Sequence, residues 1–280
     1  MSTSHSISTV GHSDQWSEFG VLAGEYNSRP KYPDEMIVDV AQLLAASGTQ
    51  GPTVVEVGAG TGIFTRLLAA ALPAQARIIA IEPSEEMRNV ALQSSQSFRS
   101  IEYRFGTAEA VDLPRSSVTM VAAASAAHRF DRPCFFKECH RVLAPNGVLA
   151  MVSYSHSRSA SDPFARDFYD LLERTIPGYS RSAHASGQSN FTTVDLYGEA
   201  LQSGLFNPIV RSDYKWQVTY DWPSLCSYLD SSTVYRRAAS ILTEATLRSH
   251  MEELFAKHLR PDGSINIEFV GEGNYLRTKS

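Results

Sequence analysis

The feature that most restricts this chain is the alternation, across residues 53–153, of short apolar runs with segments of helical spacing. Residues 53–57 form a β-branched run, 63–72 have helical periodicity, 77–81 read as a second strand, 85–93 as a helix and 101–105 as a third strand. A strand at 118–123, a helix at about 133–143 and a strand at 148–153 follow, the last behind the turn Pro145-Asn146-Gly147. Strands so nearly continuous in apolar residues, joined by helices, are buried on both faces. They predict a parallel sheet with helices on each side. A chain of 280 residues, 43% hydrophobic and 20% charged, has ample material for that core.

Outside this block the signals are weaker. Residues 14–23 read as a short helix, Pro30 and Pro33 hold 26–33 extended, and an amphipathic helix spans 35–46, opened by Pro33-Asp34 and stopped by Gly48. Beyond His156 the rhythm breaks. Residues 157–205 are read as a lid and substrate insertion, helical at 164–172 and loop-like in composition at 180–189. A strand at 209–220, helices at 222–229 and 242–259, and a last strand at 265–270 after Pro261-Asp262-Gly263 complete the chain. With no repeat and no Gly/Ser or Pro linker, the expectation is a disordered Ser/Thr/His-rich leader at 1–15 and one domain at 16–280.

Charge narrows the partners. Lys and Arg total 25 against 30 Asp and Glu, without the basic excess that holds a phosphate backbone, so nucleic acid is not expected and a small-molecule substrate is. Apolar stretches such as 121–127 fall far short of the roughly 18 residues that cross a bilayer, so no membrane association is expected. The leader has no apolar core of a secretion signal, and the cytoplasm is the default location. Cys134, Cys139 and Cys226 cannot all pair, and a spacing of five matches neither a zinc knuckle nor a redox motif; they are read as reduced packing residues, with no metal site. Oligomeric state is left open.

The chemistry concentrates at Glu56-Val57-Gly58-Ala59-Gly60-Thr61-Gly62, between the first strand and its helix. Glycines there let the chain turn sharply and let a ligand lie on the backbone, while the helix start offers free N–H groups. Dinucleotide folds want GxGxxG, whereas here the spacing is GxGxG and Ile63 stands where a third glycine belongs; no P-loop lysine follows either. Glu82 ends the second strand about 20 residues on, where an acid binds both ribose hydroxyls. A second carboxylate, Glu56, repels a pyrophosphate but suits a cationic ligand bearing an ammonium and a sulfonium. The charges favour S-adenosylmethionine over NAD.

These residues, with Glu82-Pro83-Ser84, resemble motifs I and post-I of the class I S-adenosylmethionine-dependent methyltransferases. Gly106-Thr107-Ala108-Glu109 resembles the family's third-strand turn at the adenine, 118–123 its motif IV, and 141–149 the helix-turn-strand leading into motif VI. The resemblance covers roughly residues 53–154. It implies a Rossmann-like doubly wound seven-stranded α/β sheet of order 3-2-1-4-5-7-6, the last strand antiparallel, with a helical lid insertion. It also implies S-adenosylmethionine as cofactor, S-adenosylhomocysteine as product, and cofactor contacts from Glu56, Gly58, Ala59, Gly60, Thr61, Gly62, Glu82, Pro83, Met87, Ala108, Glu109, Ala124 and Ser125. The segment 26–33, Tyr-Asn-Ser-Arg-Pro-Lys-Tyr-Pro, and Ala127-His128-Arg129-Phe130-Asp131 are similar to segments of type-11 methyltransferases of the trans-aconitate methyltransferase kind, with Arg129 where those proteins usually carry tryptophan.

Each candidate has a plainer alternative. His128, just beyond the fourth strand, is read as a base for a hydroxyl acceptor or a substrate ligand, against a core or helix-capping histidine. Tyr26, Arg29 and Tyr32 reach over the cofactor to the substrate, Arg29 gripping a carboxylate, or they staple the N-terminal segment. Arg129 meets an acidic substrate or faces solvent. Glu56 contacts the ligand, bonds its own turn or pairs with Arg29. His140 is expected to be structural and His156 to lie at the surface, while Tyr154, Tyr169, Trp216, Trp222 and Tyr228 line an acceptor pocket or belong to the core. The expected activity is methyl transfer to a small molecule, at an oxygen of an acid or natural-product intermediate; the alternatives are transfer to carbon or nitrogen, or S-adenosylmethionine binding without transfer.

Overall fold

The computed structural model describes residue 20 and residues 22–157, 162–180 and 194–279. The predicted leader, nearly all of the 14–23 helix and most of the 180–189 loop lie outside them. Seven strands form one sheet: β1 (Thr53–Val57), β2 (Arg77–Ile81), β3 (Ile101–Arg104), β4 (Val118–Ala124), β5 (Leu143–His156), β6 (Phe206–Tyr220) and β7 (Ile265–Thr278). Their order is β3-β2-β1-β4-β5-β7-β6, as expected. The first five strands pair in parallel, and β7 lies antiparallel between β5 and β6.

Alternation within β1 explains the layering, because successive side chains leave opposite faces of a strand. Val55 and Val57 pack with Phe135, Phe136 and Val142 of α5 (Arg132–Val142) and with Leu196 and Ala200 of α7 (Leu196–Gln202). Val54, on the other face, meets Met36, Val40 and Leu44 of α2 (Asp34–Ala45) and Phe64 and Leu68 of α3 (Ile63–Ala71). Helix α4 (Glu85–Ser94) begins with its Ser84 side chain accepting from the Met87 amide. The short α1 (Ala23–Tyr26) precedes α2.

A third cluster caps the carboxyl end of the sheet. It joins Phe164, Phe168 and Leu172 of α6 (Pro163–Thr175), Leu225 and Tyr228 of α8 (Trp222–Asp230), Tyr235 of α9 (Thr233–Leu242), Met251 and Phe255 of α10 (Glu244–His258), and Ile265, Ile267 and Phe269 at the start of β7. Register places this cap beside the parallel strand ends, since His156 pairs with Phe269. The two helices of the 157–205 insertion therefore separate, α6 into the cap and α7 onto the sheet face opposite α2.

Several boundaries differ from the sequence reading. The predicted helix 242–259 is two helices, broken at Thr243 with φ 75° and ψ 148°, and α9 has no counterpart among the predicted elements. The predicted turn 145–147 is an irregularity inside a longer β5, where Asn146 takes φ 64° and the pairing with β4 shifts register. β7 runs eight residues beyond Val270 to Thr278, because Gly271 and Gly273 are strand positions pressed by neighbours: a Cβ on Gly271 would stand 2.8 Å from Met36 and 3.1 Å from Trp216. A glycine inside a strand marks close approach, whereas by sequence alone it reads as a stop.

Candidate active site

Between β1 and α3 the three glycines all take left-handed backbone, φ 68° at Gly58, 57° at Gly60 and 77° at Gly62. Two of them are also sterically required. A Cβ on Gly58 would stand 2.7 Å from the Cβ of Ala126 and 3.2 Å from Phe130, and one on Gly62 would collide with the Tyr103 hydroxyl. Beside Gly60 there is open space, bordered by the Tyr26 ring at 4.0 Å from where a Cβ would sit. The turn thus exposes one stretch of backbone while burying Ala59 and Thr61.

Glu82, buried at the end of β2, points back at this turn. Its carboxylate accepts from the Gly60 amide at 2.8 Å and from the Ser84 amide at 3.0 Å. Burial pushes its pKa up, and the two amides and Arg88 pull against it. Arg88 Nη1 donates to the carbonyls of Glu82 and Pro83, fixing the strand end. Met87 is buried in the first turn of α4.

Glu56 shares the face of Val54, beneath the glycines. It is 1% exposed, and its Oε2 has no hydrogen-bond partner, while the Thr65 hydroxyl beside the carboxylate pulls against the effect of burial. Burial raises its pKa to about 8, with the neighbouring Glu82 charge adding to the rise. The alternative pairing of Glu56 with Arg29 does not form. Arg29 Nη2 donates instead to the Ser231 carbonyl at 2.8 Å.

At the end of β4, Ser125 takes φ 51°, a strained value for a residue with a side chain. Its hydroxyl accepts from Tyr32 at 3.0 Å, and the buried Tyr32 ring meets Phe64 and Tyr154 edge-on at 5.0 Å each. Ala124, half-buried, precedes it. His128 is buried on the single 3-10 turn Ala127–Arg129, and Arg129 is exposed. Ala108 is buried, and Glu109 accepts from the Asp131 amide at 3.0 Å, tying the third-strand turn to the start of α5. The structure therefore places the residues that follow β1, β2 and β4, with the N-terminal segment that touches Gly60 and Ser125, at the carboxyl end of the sheet, the position where open α/β sheets bind ligands.

His156 corrects the sequence reading. A strand ending at 153 would leave it at the surface, whereas β5 continues to His156 and carries it under the cap. Its Nδ1 contacts the Tyr169 hydroxyl and its Nε2 the Tyr228 hydroxyl, both at 2.7 Å. Burial and the Arg29 charge push it down to about 3. The only sequence signal is the polar run Ser153-Tyr154-Ser155-His156, whose period-two spacing continues the strand. Of the cysteines, Cys139 is buried as expected and Cys134 is exposed.

These residues fit a cationic nucleoside: open space beside the Gly60 backbone, a carboxylate at the second strand end, and a buried acid with an orphaned oxygen. Residues 55–151 match the family model described as a methyltransferase domain. That segment is a class I methyltransferase domain. S-adenosylmethionine is the methyl donor of such a domain, and the donor set just described is the one that would hold it. An uncharacterized methyltransferase of Schizosaccharomyces pombe is 32% identical over 157 residues, 56% of this chain and 59% of that protein. A Dictyostelium discoideum protein assigned as a methyltransferase is 34% identical over 140 residues, 49% of each chain. The chain thus spans about half the length of these relatives. The 2-methyl-6-phytyl-1,4-hydroquinone methyltransferase of Synechocystis is 26% identical over 240 residues, covering 78% of this chain and 70% of that one. Among solved structures, an Anaeromyxobacter dehalogenans protein assigned to the type II methyltransferases superposes with a TM-score of 0.61 at 22% identity, covering 90% of this chain and 97% of that one, which shows a common fold.

Proposed function

We propose that the whole protein transfers a methyl group from S-adenosylmethionine to an oxygen, carboxylate or hydroxyl, of a small acid or natural-product intermediate. The observation that carries this reading is the left-handed glycine turn with the Glu82 carboxylate set against Gly60. Glu82 would exchange its amide partners for ribose hydroxyls, Glu56 would face the cationic end of the cofactor, and Ala108 and Glu109 would border the base.

Bound S-adenosylmethionine supplies an already activated methyl group, so the chain's task is alignment and exclusion of water. Tyr32 and Ser125 fix the end of β4, and the cap closes the other side. His128 is assigned as the base that would accept the proton of a hydroxyl acceptor; a carboxylate acceptor needs no base. Tyr26, Arg29 and Arg129 are assigned to the acceptor. A second reading, transfer to a ring atom of a quinol-like acceptor, has one observation in its favour, the long match to the hydroquinone methyltransferase. The test is calorimetry with S-adenosylmethionine and S-adenosylhomocysteine, followed by labelled-methyl incorporation into candidate acids and quinols. Cofactor binding without label in any acceptor would leave a binding protein.

A further inference from the structure

Arg29 is a half-buried cation with no carboxylate beside it among the described residues. Beyond its bond to Ser231, its Nε is shut off from solvent and has no hydrogen-bond partner. Its Cζ lies 5.4 Å from the centre of the Tyr26 ring and 5.9 Å from that of Tyr228, and Tyr154 and Tyr169 complete its surroundings. A guanidinium held among phenols gains cation–π attraction, yet an uncompensated charge out of water remains costly. The site is completed by an anion.

The neighbouring imidazole sharpens the geometry. His156 is neutral, so it has one N–H and one acceptor nitrogen. Its two bonds, to Tyr169 and Tyr228, use that N–H and one phenol hydrogen, which directs the second phenol hydrogen away from the ring. One phenol hydrogen beside Arg29 is thus left over for an anion, and Tyr26 joins this seat to the glycine turn, since its ring borders both Gly60 and Arg29.

Resting on the methyltransferase reading, we propose that Arg29 and Tyr228 form an anchoring seat for a carboxylate of the acceptor that is not itself methylated, with the Tyr169 hydroxyl donating to His156 Nδ1 and His156 Nε2–H donating to Tyr228, so that the Tyr228 hydrogen is left to face the anion. An oxygen gripped by a guanidinium has its charge stabilised and its lone pairs engaged, which makes it a poor nucleophile. The reacting oxygen then lies elsewhere, toward His128 and Ser125 at the end of β4. The acceptor is a polyfunctional acid, with one carboxylate anchored and a second oxygen methylated. Arg29 binds the acceptor, while His156 and Tyr169 are positioning residues.

The test uses the full-length protein saturated with S-adenosylhomocysteine and titrated with succinate, malate and 4-hydroxybenzoate, each beside its uncharged amide, with melting temperature as readout. At least one acid should raise it and the matching amide should not. Arg29→Met should weaken that acid at least tenfold, and Tyr228→Phe severalfold, with S-adenosylhomocysteine affinity kept within twofold in both. A second measurement needs no acid: ligand-free Arg29→Met should melt higher than the parent, because it removes an uncompensated charge, whereas a merely structural arginine would make it melt lower. Amides stabilising as well as acids, no acid stabilising the loaded protein, or a lower-melting Arg29→Met would each overturn the seat. Failure of the parent protein to bind S-adenosylhomocysteine would instead sink the methyltransferase reading itself.

Discussion

The glycine turn and the cap both bury ionisable groups, and they do so with opposite sign. Under the turn, Glu56 is an acid whose pKa is raised to about 8. Under the cap, His156 is a base pushed down to about 3 beside a cation, Arg29. On the proposed reading the first region receives positive charge and the second negative, with Tyr26 between them. In each, burial keeps the group neutral until a partner of the right charge arrives. On the proposed function, the contrast would suit a site that holds a sulfonium donor and an acidic acceptor side by side.

The largest expected effect is on the pH dependence of stability. Glu56, raised in the folded state, favours the fold fully below its unfolded value near 4.5, and that contribution is lost as pH climbs to about 8. His156, lowered from 6.5, favours the fold above 6.5, and its contribution is lost as pH falls toward 3. Each is worth up to a few kcal/mol, since a tenfold change in proton affinity corresponds to about 1.4 kcal/mol. Between about 4.5 and 6.5 the two slopes oppose one another, so the ligand-free protein should be most stable there. Denaturant titrations across pH should show Glu56→Gln flattening the alkaline flank and His156→Gln the acid flank, read as differences from the parent. S-adenosylmethionine binding at about pH 7 should also release a proton from Glu56, visible by calorimetry in buffers of different ionisation enthalpy. A variant that flattens the wrong flank would break the comparison.

His128, buried on the 3-10 turn that follows β4, comes next. His128→Ala should lower turnover of a hydroxyl acceptor by about 10²-fold or more, the scale of general-base catalysis, with donor affinity nearly unchanged. Turnover that survives would move the base elsewhere or dispense with one. Glu82→Ala should weaken S-adenosylmethionine by about 1–3 kcal/mol through lost charge-assisted hydrogen bonds. Affinity equal to the parent's, measured by calorimetry, would show that the acid serves only the amides of Gly60 and Ser84.

The same two regions differ in how far the sequence discloses them. Around the turn, the residues that carry function are also those that shape the backbone: Gly58 and Gly62 have no room for a Cβ, and Glu82 closes a strand whose ends, 77 and 81, are legible directly in its β-branched run. Local rules suffice there. The cap is assembled from long-range contacts between α6, α8, α9, α10 and β7, and the periodicity of one segment does not say which others it meets. His156 escapes local rules because its surroundings come from Tyr169 and Tyr228, 13 and 72 residues away. Arg29 stands out by its motif, yet its place among tyrosines is invisible in sequence, since residue types alone do not say which cations lack a carboxylate. The break at Thr243 has no signal either, a β-branched residue being the least expected at positive φ.

The smallest expected effect falls on the residue that joins the regions. Tyr32 touches Phe64 on the donor side and Tyr154 on the cap side, and its hydroxyl is committed to Ser125. Tyr32→Phe keeps the ring contacts and removes one hydrogen bond, so denaturant unfolding should register a loss of about 0.5–1.5 kcal/mol. If the phenol only braces the strained end of β4, KM for the acceptor should hold and kcat should fall by no more than a few fold as Ser125 loosens. If it contacts the acceptor instead, KM should rise while stability stays near the parent's, because a hydroxyl turned toward ligand contributes little to the ligand-free fold. Measuring both quantities on one variant therefore separates a brace between the two regions from a member of either.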